Sequence, residues 1–201
     1  MFALLVALLI SSMSSQVADI AEGMTYLHEE RIVHGDLRAV NIFLDEFGRI
    51  KISDFGLSVF SAGGSKNYFS IRAGNVRWTA PENLAPEKYR DADELLGRLA
   101  LEQPPSSNEP GLRTIARPTM QSDVYAFACV CLEVHTGYAP FHNLSDHEIE
   151  ACVTRPRMER AQLPPNMAQH LKDLVGRCWA DNPGQRPSFA NIMNELMIHT
   201  Q

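Results

Sequence analysis

The sequence lacks an excess of positive charge, an internal repeat, and any apolar run long enough to cross a membrane as a helix. Its 201 residues carry 18 basic and 24 acidic side chains, for a formal net charge of −6. Proteins that bind nucleic acid usually present a basic face, so this balance argues against that class. With 45% apolar and 21% charged residues, the composition is that of one globular domain with a core of its own.

Cysteine is also scarce, and its spacing does not match a metal site. The four cysteines are Cys129, Cys131, Cys152 and Cys178. The first two lie two positions apart within an apolar run, which suits core packing better than ligation. We therefore expect reduced, buried thiols in a reducing compartment, without disulfides or metal ligands. This indicates a cytoplasmic protein.

One short apolar run leaves the location partly open. Residues 2–10 are continuously apolar, but a helix of this length does not span a bilayer. The run has the length of the apolar part of a signal peptide, yet no Lys or Arg precedes it. We favour a buried helix whose upstream packing partner belongs to a missing part of the protein, and we do not expect a membrane partner. A secretory signal and a membrane anchor remain the alternatives.

Apolar periodicity predicts a mainly helical chain. Apolar residues recur at helical spacing from Val17 to Met24, which predicts an amphipathic helix over residues 16–30. A helix buried on all sides is expected over 123–135, with Ser122 or Asp123 as its N-cap and Gly137 at its end. Two more helices are expected around 171–179 and 189–197, the second with Ser188 as N-cap.

The remaining segments predict turns and loops. Residues 41–44 and 50–52 are strand candidates, and the turn-forming residues between them predict a β-hairpin. Residues 61–74 are polar and glycine-bearing, and we expect a mobile loop there. Residues 83–119 begin with helical character over 86–102 and continue with proline-rich linker composition over 103–111, which favours a solvent-exposed loop.

Three short motifs follow one another in the chain. Residues 34–41 read His-Gly-Asp-Leu-Arg-Ala-Val-Asn, residues 54–56 read Asp-Phe-Gly, and residues 80–82 read Ala-Pro-Glu. Each is a weak signal alone, because a single Asp or Asn often caps a helix or fills a turn. Together, with a hairpin between the first two, they resemble the catalytic segments of eukaryotic-type protein kinases.

The resemblance covers about residues 16–198, with an insert at about 83–119, and makes residues 1–201 a partial protein kinase domain. It implies a mainly α, protein-kinase-like fold, in which a helical C-lobe carries a small β-hairpin at the catalytic loop. It also implies phosphoryl transfer from ATP, with Mg²⁺, to hydroxyl groups of a protein substrate.

The resemblance assigns a chemical role to each of five side chains. Asp36 would accept the proton of the attacking hydroxyl, and Arg38 would stabilise charge on the transferring phosphate. Asn41 and Asp54 would bind Mg²⁺ through oxygen atoms, which are the ligands this ion prefers. Phe43 would lie beneath the adenine ring, so Asn41, Phe43 and Asp54 together would form the ATP site.

Three structural contacts are also implied by the resemblance. Asp123 would hold the backbone of the catalytic loop by hydrogen bonds. Arg186 would form a buried salt bridge with Glu82. His34 and Phe55 would stack in a packed internal column.

The subfamily signals are mixed. Arg38, Trp78-Thr79 and Cys178-Trp179 resemble both tyrosine kinases and the tyrosine-kinase-like group of serine/threonine kinases. Residues 34–36 and 74–75 suit the second group better. We therefore expect serine or threonine as the acceptor in preference to tyrosine.

The sequence departs from the family pattern upstream of His34. No glycine-rich loop and no Val-Ala-x-Lys strand occur there, and the loss of one such charge stabiliser costs about 10²–10³ in rate. We therefore expect these residues alone to be inactive. The alternative is a non-catalytic, pseudokinase-like binding module or a truncated fragment, whose uncovered upper face binds a partner protein or a second copy.

A second departure is Gly35, which stands where the family usually has an arginine before the catalytic aspartate. That arginine normally binds a phosphate on the segment between the Asp-Phe-Gly and Ala-Pro-Glu motifs. Phosphorylation of Ser65, Tyr68 or Ser70 is therefore expected to matter less for switching than is usual in the family.

Overall fold

The computed structural model describes residues 13–54, 59–60, 68–72, 75–89, 112–155 and 160–199. These residues form a mainly helical lobe with three two-stranded antiparallel sheets. The helices are α1 Met13–Glu29, α2 Pro81–Leu84, α3 Met120–Thr136, α4 Asp146–Val153, α5 Gln169–Cys178 and α6 Phe189–His199. The strands are β1 Ile32–Val33, β2 Ile42–Leu44, β3 Ile50–Ile52, β4 Val59–Phe60, β5 Tyr68–Arg72 and β6 Leu112–Ala116. The predicted helical fold with a hairpin at the catalytic loop is confirmed.

Helix α3 runs through the centre of the lobe. Every residue from Ser122 to Leu132 is buried, as expected for a helix that is apolar on nearly all sides. Gly137 ends it in the left-handed conformation, at a φ of 73°, as predicted. The predicted N-cap is wrong, because the helix begins earlier and Thr119 caps it. The Thr119 hydroxyl accepts a hydrogen bond from Ser122 N at 3.1 Å, and Thr119 N donates to the Ser122 hydroxyl at 2.8 Å.

Three amphipathic helices pack around this centre and confirm the periodicity of the sequence. Helix α1 buries Ile20, Ala21 and Met24, and it lies against α3, α6 and the hairpin. Helix α5 buries its apolar stripe against α3. Helix α6 begins after Ser188, whose hydroxyl accepts a hydrogen bond from Asn191 N at 3.2 Å and so acts as the predicted cap.

The β2–β3 hairpin also forms as predicted, except that Asn41 belongs to a preceding 3₁₀ turn. Ile42 pairs with Ile52 in the antiparallel register. The Asp45 carboxylate closes the turn, because its Oδ1 accepts hydrogen bonds from the backbone N–H groups of Phe47 and Arg49 at 3.0 and 2.9 Å. The register brings the residues before β2 and after β3 to the same end of the hairpin.

The loop predicted over residues 61–74 is wrong in its second half. Residues 68–72 form strand β5, which pairs with β6 across a long sequence separation. Residues 61–67 and 73–74 lie outside the described part of the chain. Local composition did not reveal β5, because its partner strand lies some forty positions further along.

The predicted 83–119 insert has structured ends. Asn83 belongs to α2, and residues 86–88 form a 3₁₀ turn where helical character was predicted. At the other end, Leu112–Ala116 is strand β6. Residues 90–111, including the proline-rich stretch at 103–111, lie outside the described residues.

Three of the four cysteines are buried, as predicted, whereas Cys152 is only partly buried. None of the four forms a disulfide. Burial raises the pKa of the thiols of Cys129 and Cys178 to about 12. In the described ranges, no helix is both long enough and apolar enough to cross a bilayer. Residues 2–10 lie outside those ranges.

The implied salt bridge between Glu82 and Arg186 is present and buried. Arg186 donates from Nη1 and Nη2 to the two carboxylate oxygens of Glu82 at 2.6 and 2.8 Å. Its Nη1 also donates to the carbonyl of Gln121 at 3.0 Å. The Arg186 side chain is fully buried and that of Glu82 is 12% exposed, so this ion pair joins α2 to the start of α3 and to the loop before α6.

Removal of one partner of this pair should be strongly destabilising. Glu82→Ala leaves the Arg186 charge buried without its counter-ion, and we expect the free energy of unfolding to fall by about 3–5 kcal/mol. Arg177 and Glu195 form the control pair, since Arg177 Nη2 also contacts both carboxylate oxygens of Glu195 but the Arg177 side chain is 48% exposed. Glu195→Ala should cost about 1 kcal/mol or less. Urea unfolding measures both, and equal costs for the two variants would contradict the prediction.

Candidate active site

Asp123, in the first turn of α3, holds the backbone of the catalytic loop. Its side chain is 1% exposed, and its two oxygens accept hydrogen bonds from His34 N at 2.8 Å and Gly35 N at 2.9 Å. The contact implied by the family resemblance is therefore confirmed. His28 Nε2 lies 2.9 Å from the same carboxylate, a contact that the sequence analysis missed. Gly35 takes a φ of 81°, a left-handed conformation that glycine adopts without a steric penalty.

The Asp36 carboxylate is contacted by three side chains from two segments. Asn41 Nδ2 donates to Asp36 Oδ2 at 3.2 Å and to the Asp36 carbonyl at 2.8 Å. Asn75 Nδ2 donates to Asp36 Oδ1 at 3.2 Å, and Arg38 Nε lies 3.3 Å from the same oxygen. Both oxygens therefore have partners that fix the orientation of the carboxylate. Arg38 and Asn41 are predicted site residues, whereas the sequence pattern did not indicate a role for Asn75.

The surroundings of Asp36 raise its pKa above the ordinary value. Partial burial is the largest cause, and the negative charge of Asp54 adds to it. The positive charge of Arg38 and the hydrogen bond from Asn41 act in the opposite direction. An aspartate with a raised pKa is a stronger base than a solvated one, which suits the acceptance of a proton.

His34 connects the catalytic loop to the end of β3. The ring is fully buried, and its Nδ1 accepts a hydrogen bond from Asp36 N at 3.2 Å. Nε2 therefore carries the proton and donates it to the Ser53 carbonyl at 3.1 Å. The implied stacking of His34 on Phe55 remains a prediction, because Phe55 lies outside the described residues.

The hairpin brings Asn41 and Asp54 to the same place. Ser53 N donates to the Asn41 carbonyl at 2.9 Å, and Asp54 follows directly in a left-handed conformation with its side chain exposed. Both hydrogen bonds of the Asn41 side chain leave from Nδ2, so its Oδ1 accepts none from the described residues.

The amide oxygen of Asn41 and the carboxylate of Asp54 are a donor set that suits Mg²⁺. This ion commonly binds to one or two protein side chains together with substrate phosphates. Among the described residues, no group of three or more His, Cys, Asp and Glu side chains could hold a metal ion. The oxygen donors of Asn41 and Asp54 fit a magnesium ion that is shared with a phosphate substrate, and these two residues are its candidate ligands.

Phe43 lies on β2, opposite Lys51, and its side chain is 53% exposed. An exposed aromatic ring on the strand that follows Asn41 has a face available for another flat ring. The proposed contact with adenine remains a prediction.

Glu133 holds the second half of the catalytic loop and was missed by the sequence analysis. Its Oε2 accepts hydrogen bonds from Trp78 Nε1 at 2.7 Å and from Ala39 N at 3.0 Å. The Arg38 guanidinium lies over the Trp78 ring, 5.9 Å from its centroid. An acidic residue in the second half of this mostly apolar helix was the available signal. Buried carboxylates usually have polar partners, so such a residue indicates a structural contact.

Burial raises the pKa of Glu133 to about 6, although the hydrogen bonds from Ala39 and Trp78 partly oppose this effect. The folded protein therefore binds the proton of this group more tightly than the unfolded chain does.

Arg77 fixes the segment that contains Asn75 and Trp78 to the turn before α4. Its guanidinium donates to the carbonyl oxygens of Pro140 at 3.1 Å, of Leu144 at 2.8 Å, and of Phe141. This segment is thus anchored to the turn before α4 by Arg77 and to α3 by Glu133.

Comparison with known proteins agrees with this geometry. The family model for "Protein tyrosine and serine/threonine kinase" matches residues 6–94 and 112–196. The chain belongs to the protein kinase family. The residues between the two matched ranges, 95–111, lie within the predicted insert at about 83–119.

The relatives include proteins named as serine/threonine-protein kinases and as a serine/threonine/tyrosine-protein kinase. The chain is 32% identical over 187 residues to the probable serine/threonine-protein kinase drkC of Dictyostelium discoideum, covering 92% of this chain and 21% of that protein. It is 33% identical over 184 residues to the serine/threonine-protein kinase CTR1 of Arabidopsis thaliana, covering 90% and 19%. It is 30% identical over 178 residues to the serine/threonine/tyrosine-protein kinase HT1 of the same plant, covering 89% and 37%. The chain thus spans well under half the length of these curated relatives.

The raised pKa of Glu133 predicts a pH dependence of stability. A carboxyl group whose pKa rises from 4.5 to about 6 on folding contributes stability below pH 4.5 that is lost as the pH rises through about 6. Glu133→Gln keeps an acceptor oxygen for Trp78 and Ala39 but does not titrate. From pH 4.5 to neutral pH, the wild type should lose about 2 kcal/mol more unfolding free energy than the variant. Urea unfolding at both pH values measures this difference, and the same pH dependence in both proteins would disprove it.

Proposed function

We propose that this chain forms the catalytic lobe of a protein kinase that transfers the γ-phosphoryl group of ATP to a hydroxyl group of a protein substrate. The observation that carries the proposal is the Asp36 carboxylate, held by Asn41, Asn75 and Arg38 in a loop that Asp123 fixes. A pure binding module has no chemical need for a base oriented in this way. The proposal therefore favours an enzyme over the non-catalytic alternative.

Asp36 orients the substrate hydroxyl and accepts its proton as the oxygen attacks phosphorus. Because partners contact both of its oxygens, the carboxylate needs little reorganisation to meet the hydroxyl. Arg38 lies beside it and places a positive charge where negative charge builds up on the phosphoryl oxygens. The Trp78 ring under the guanidinium supports that position.

Asn41 and Asp54 would hold the magnesium ion, and Phe43 would support the adenine ring of ATP. When bound, Mg²⁺ neutralises charge on the phosphate groups. Activity in this family also draws on a glycine-rich loop and a lysine. Activity assays are therefore made on the full-length natural protein.

We propose serine and threonine as the main acceptors. Of the relatives above, drkC and CTR1 are named serine/threonine-protein kinases, whereas the name of HT1 also includes tyrosine. A cytoplasmic location is part of the proposal, and the reduced thiols of the core support it.

Replacement of the proposed base tests the function directly. Asp36→Asn keeps the shape of the side chain but removes its ability to accept a proton, so kcat should fall by about 10²–10⁴. Asp45→Asn is the control, because Asp45 lies in the hairpin turn and has no proposed role in the reaction. Phosphate transfer from labelled ATP to a generic protein substrate measures both variants. If Asp36→Asn keeps wild-type activity, the proposal is wrong.

Replacement of the metal ligand tests the magnesium site. Asp54→Asn weakens the oxygen donor set, and the Mg²⁺ concentration required for half-maximal ATP binding should rise by about tenfold or more. Calorimetric titration of ATP at a series of Mg²⁺ concentrations measures this without relying on turnover. Lys51→Gln, a change on the same hairpin outside the ligand pair, should leave the requirement unchanged. An unaltered Mg²⁺ requirement in Asp54→Asn would exclude Asp54 as a ligand.

A further inference from the structure

Strand β5 lies between the Asp-Phe-Gly and Ala-Pro-Glu motifs, and its partner β6 comes from beyond them. The two strands pair antiparallel along their whole length, from Tyr68 opposite Ala116 to Arg72 opposite Leu112. Residues 95–111, which the family model leaves unmatched, directly precede β6. The strand that pairs with the segment between the two motifs therefore begins at residue 112, immediately after the unmatched stretch.

The end of β6 is anchored in the rigid part of the lobe. Asn83 of α2 is buried, and its Nδ2 donates to the carbonyls of Ala116 at 3.2 Å and Arg117 at 2.9 Å. Thr119 follows and caps α3, the helix that presents Asp123 to the catalytic loop. A two-stranded sheet is marginal by itself, so this anchor gives β6 the support it needs to hold a partner.

The position of β5 bears directly on the catalytic base. Three positions after Arg72 comes Asn75, whose side chain donates to Asp36 Oδ1 at 3.2 Å. Its carbonyl accepts a hydrogen bond from the Thr79 hydroxyl at 3.0 Å, which fixes the turn that follows β5. Contacts thus link α2 and its Asn83 to β6, β6 to β5, and β5 to the 3₁₀ turn Asn75–Arg77, whose Asn75 donates to Asp36.

Gly35 indicates that the segment between the two motifs needs a support other than a bound phosphate. It occupies the position at which the family usually has an arginine that binds a phosphate on this segment. Gly35 has no side chain to bind a phosphate, and its N–H already donates to Asp123. Arg38, two residues after Asp36, already forms an ion pair with Asp36 and a cation–π contact with Trp78.

We propose that the pairing of β6 with β5 holds the segment between the two motifs in the conformation that brings Asn75 to Asp36, and does so without a phosphate group. The inference rests on the proposed kinase function for its biological meaning. The strand pairing itself can be tested separately.

The experiment compares hydrogen exchange of the backbone amides in the full-length protein before and after phosphatase treatment. In the dephosphorylated wild type, the amides of residues 68–72 should exchange roughly tenfold or more slowly than in a variant whose β6 cannot pair. Thr114→Pro, at the centre of β6, removes an N–H and fixes φ. Ile115→Pro is made as well, because successive residues of an antiparallel strand alternate in their ladder hydrogen bonds. Thr114→Val is the matched control, since it keeps the N–H and favours strand geometry.

Exchange in α3 and α5 shows whether each variant remains folded, and phosphate transfer is measured in parallel. We expect the more disruptive proline variant to lower kcat/KM of the dephosphorylated enzyme by about tenfold, with α3 and α5 still protected. Thr114→Val should match the wild type in both measurements.

Three possible results distinguish the strand-pairing inference from the proposed kinase function. If residues 68–72 of the dephosphorylated wild type exchange as fast as in the proline variants, β6 does not hold them and the inference is wrong. If dephosphorylation removes protection or activity, a phosphate performs the task and the inference is again wrong. If β5 is protected but neither form phosphorylates a protein, the proposed function is wrong while the pairing of β5 and β6 stands.

Discussion

The carboxylate of Asp123 joins the buried helix α3 to the catalytic loop, and the position of Asp36 depends on that joint. Two backbone N–H groups and one imidazole share this carboxylate. Loss of the acceptor would leave buried donors without partners, which is costly in a dry interior. Helix α3 is packed on nearly all sides, so the Asp123 carboxylate has a fixed position. It therefore fixes the position of a loop that has little regular structure of its own.

The same helix holds the loop a second time. Glu133 accepts a hydrogen bond from Ala39 N, ten positions along α3 from Asp123. Ten residues of α-helix span roughly 15 Å, and the loop from His34 to Ala39 covers a comparable distance in extended form. The loop therefore lies along α3 and is pinned at both ends, with Asp36 between the two pins. The hairpin then adds Asn41 and Asp54 from one side, and the segment after β5 adds Asn75 from the other.

Much of the fold could be predicted from the sequence because it depends on local patterns. Helices α1, α5 and α6 follow apolar periodicity, and the hairpin follows its turn residues. The Glu82–Arg186 pair and the hydrogen bonds of Asp123 join residues about ninety or more positions apart, so they could be expected only from the resemblance to a family. Thr119 was missed as a cap because Ser122 and Asp123 have the same local chemistry. Strand β5, Asn75 and Glu133 were missed because their roles arise from tertiary contacts that leave no periodic signal nearby.

The buried thiols have a consequence for chemical reactivity. Nucleophilic attack by cysteine requires the thiolate, and a pKa of about 12 keeps Cys129 and Cys178 protonated at physiological pH. Electrophiles and oxidants will therefore react slowly with the centre of the lobe. Cys152, on α4, is only partly buried and offers the more accessible sulfur. A maleimide dye added to the folded protein should thus label α4 selectively and leave the helices that carry the active site unmodified.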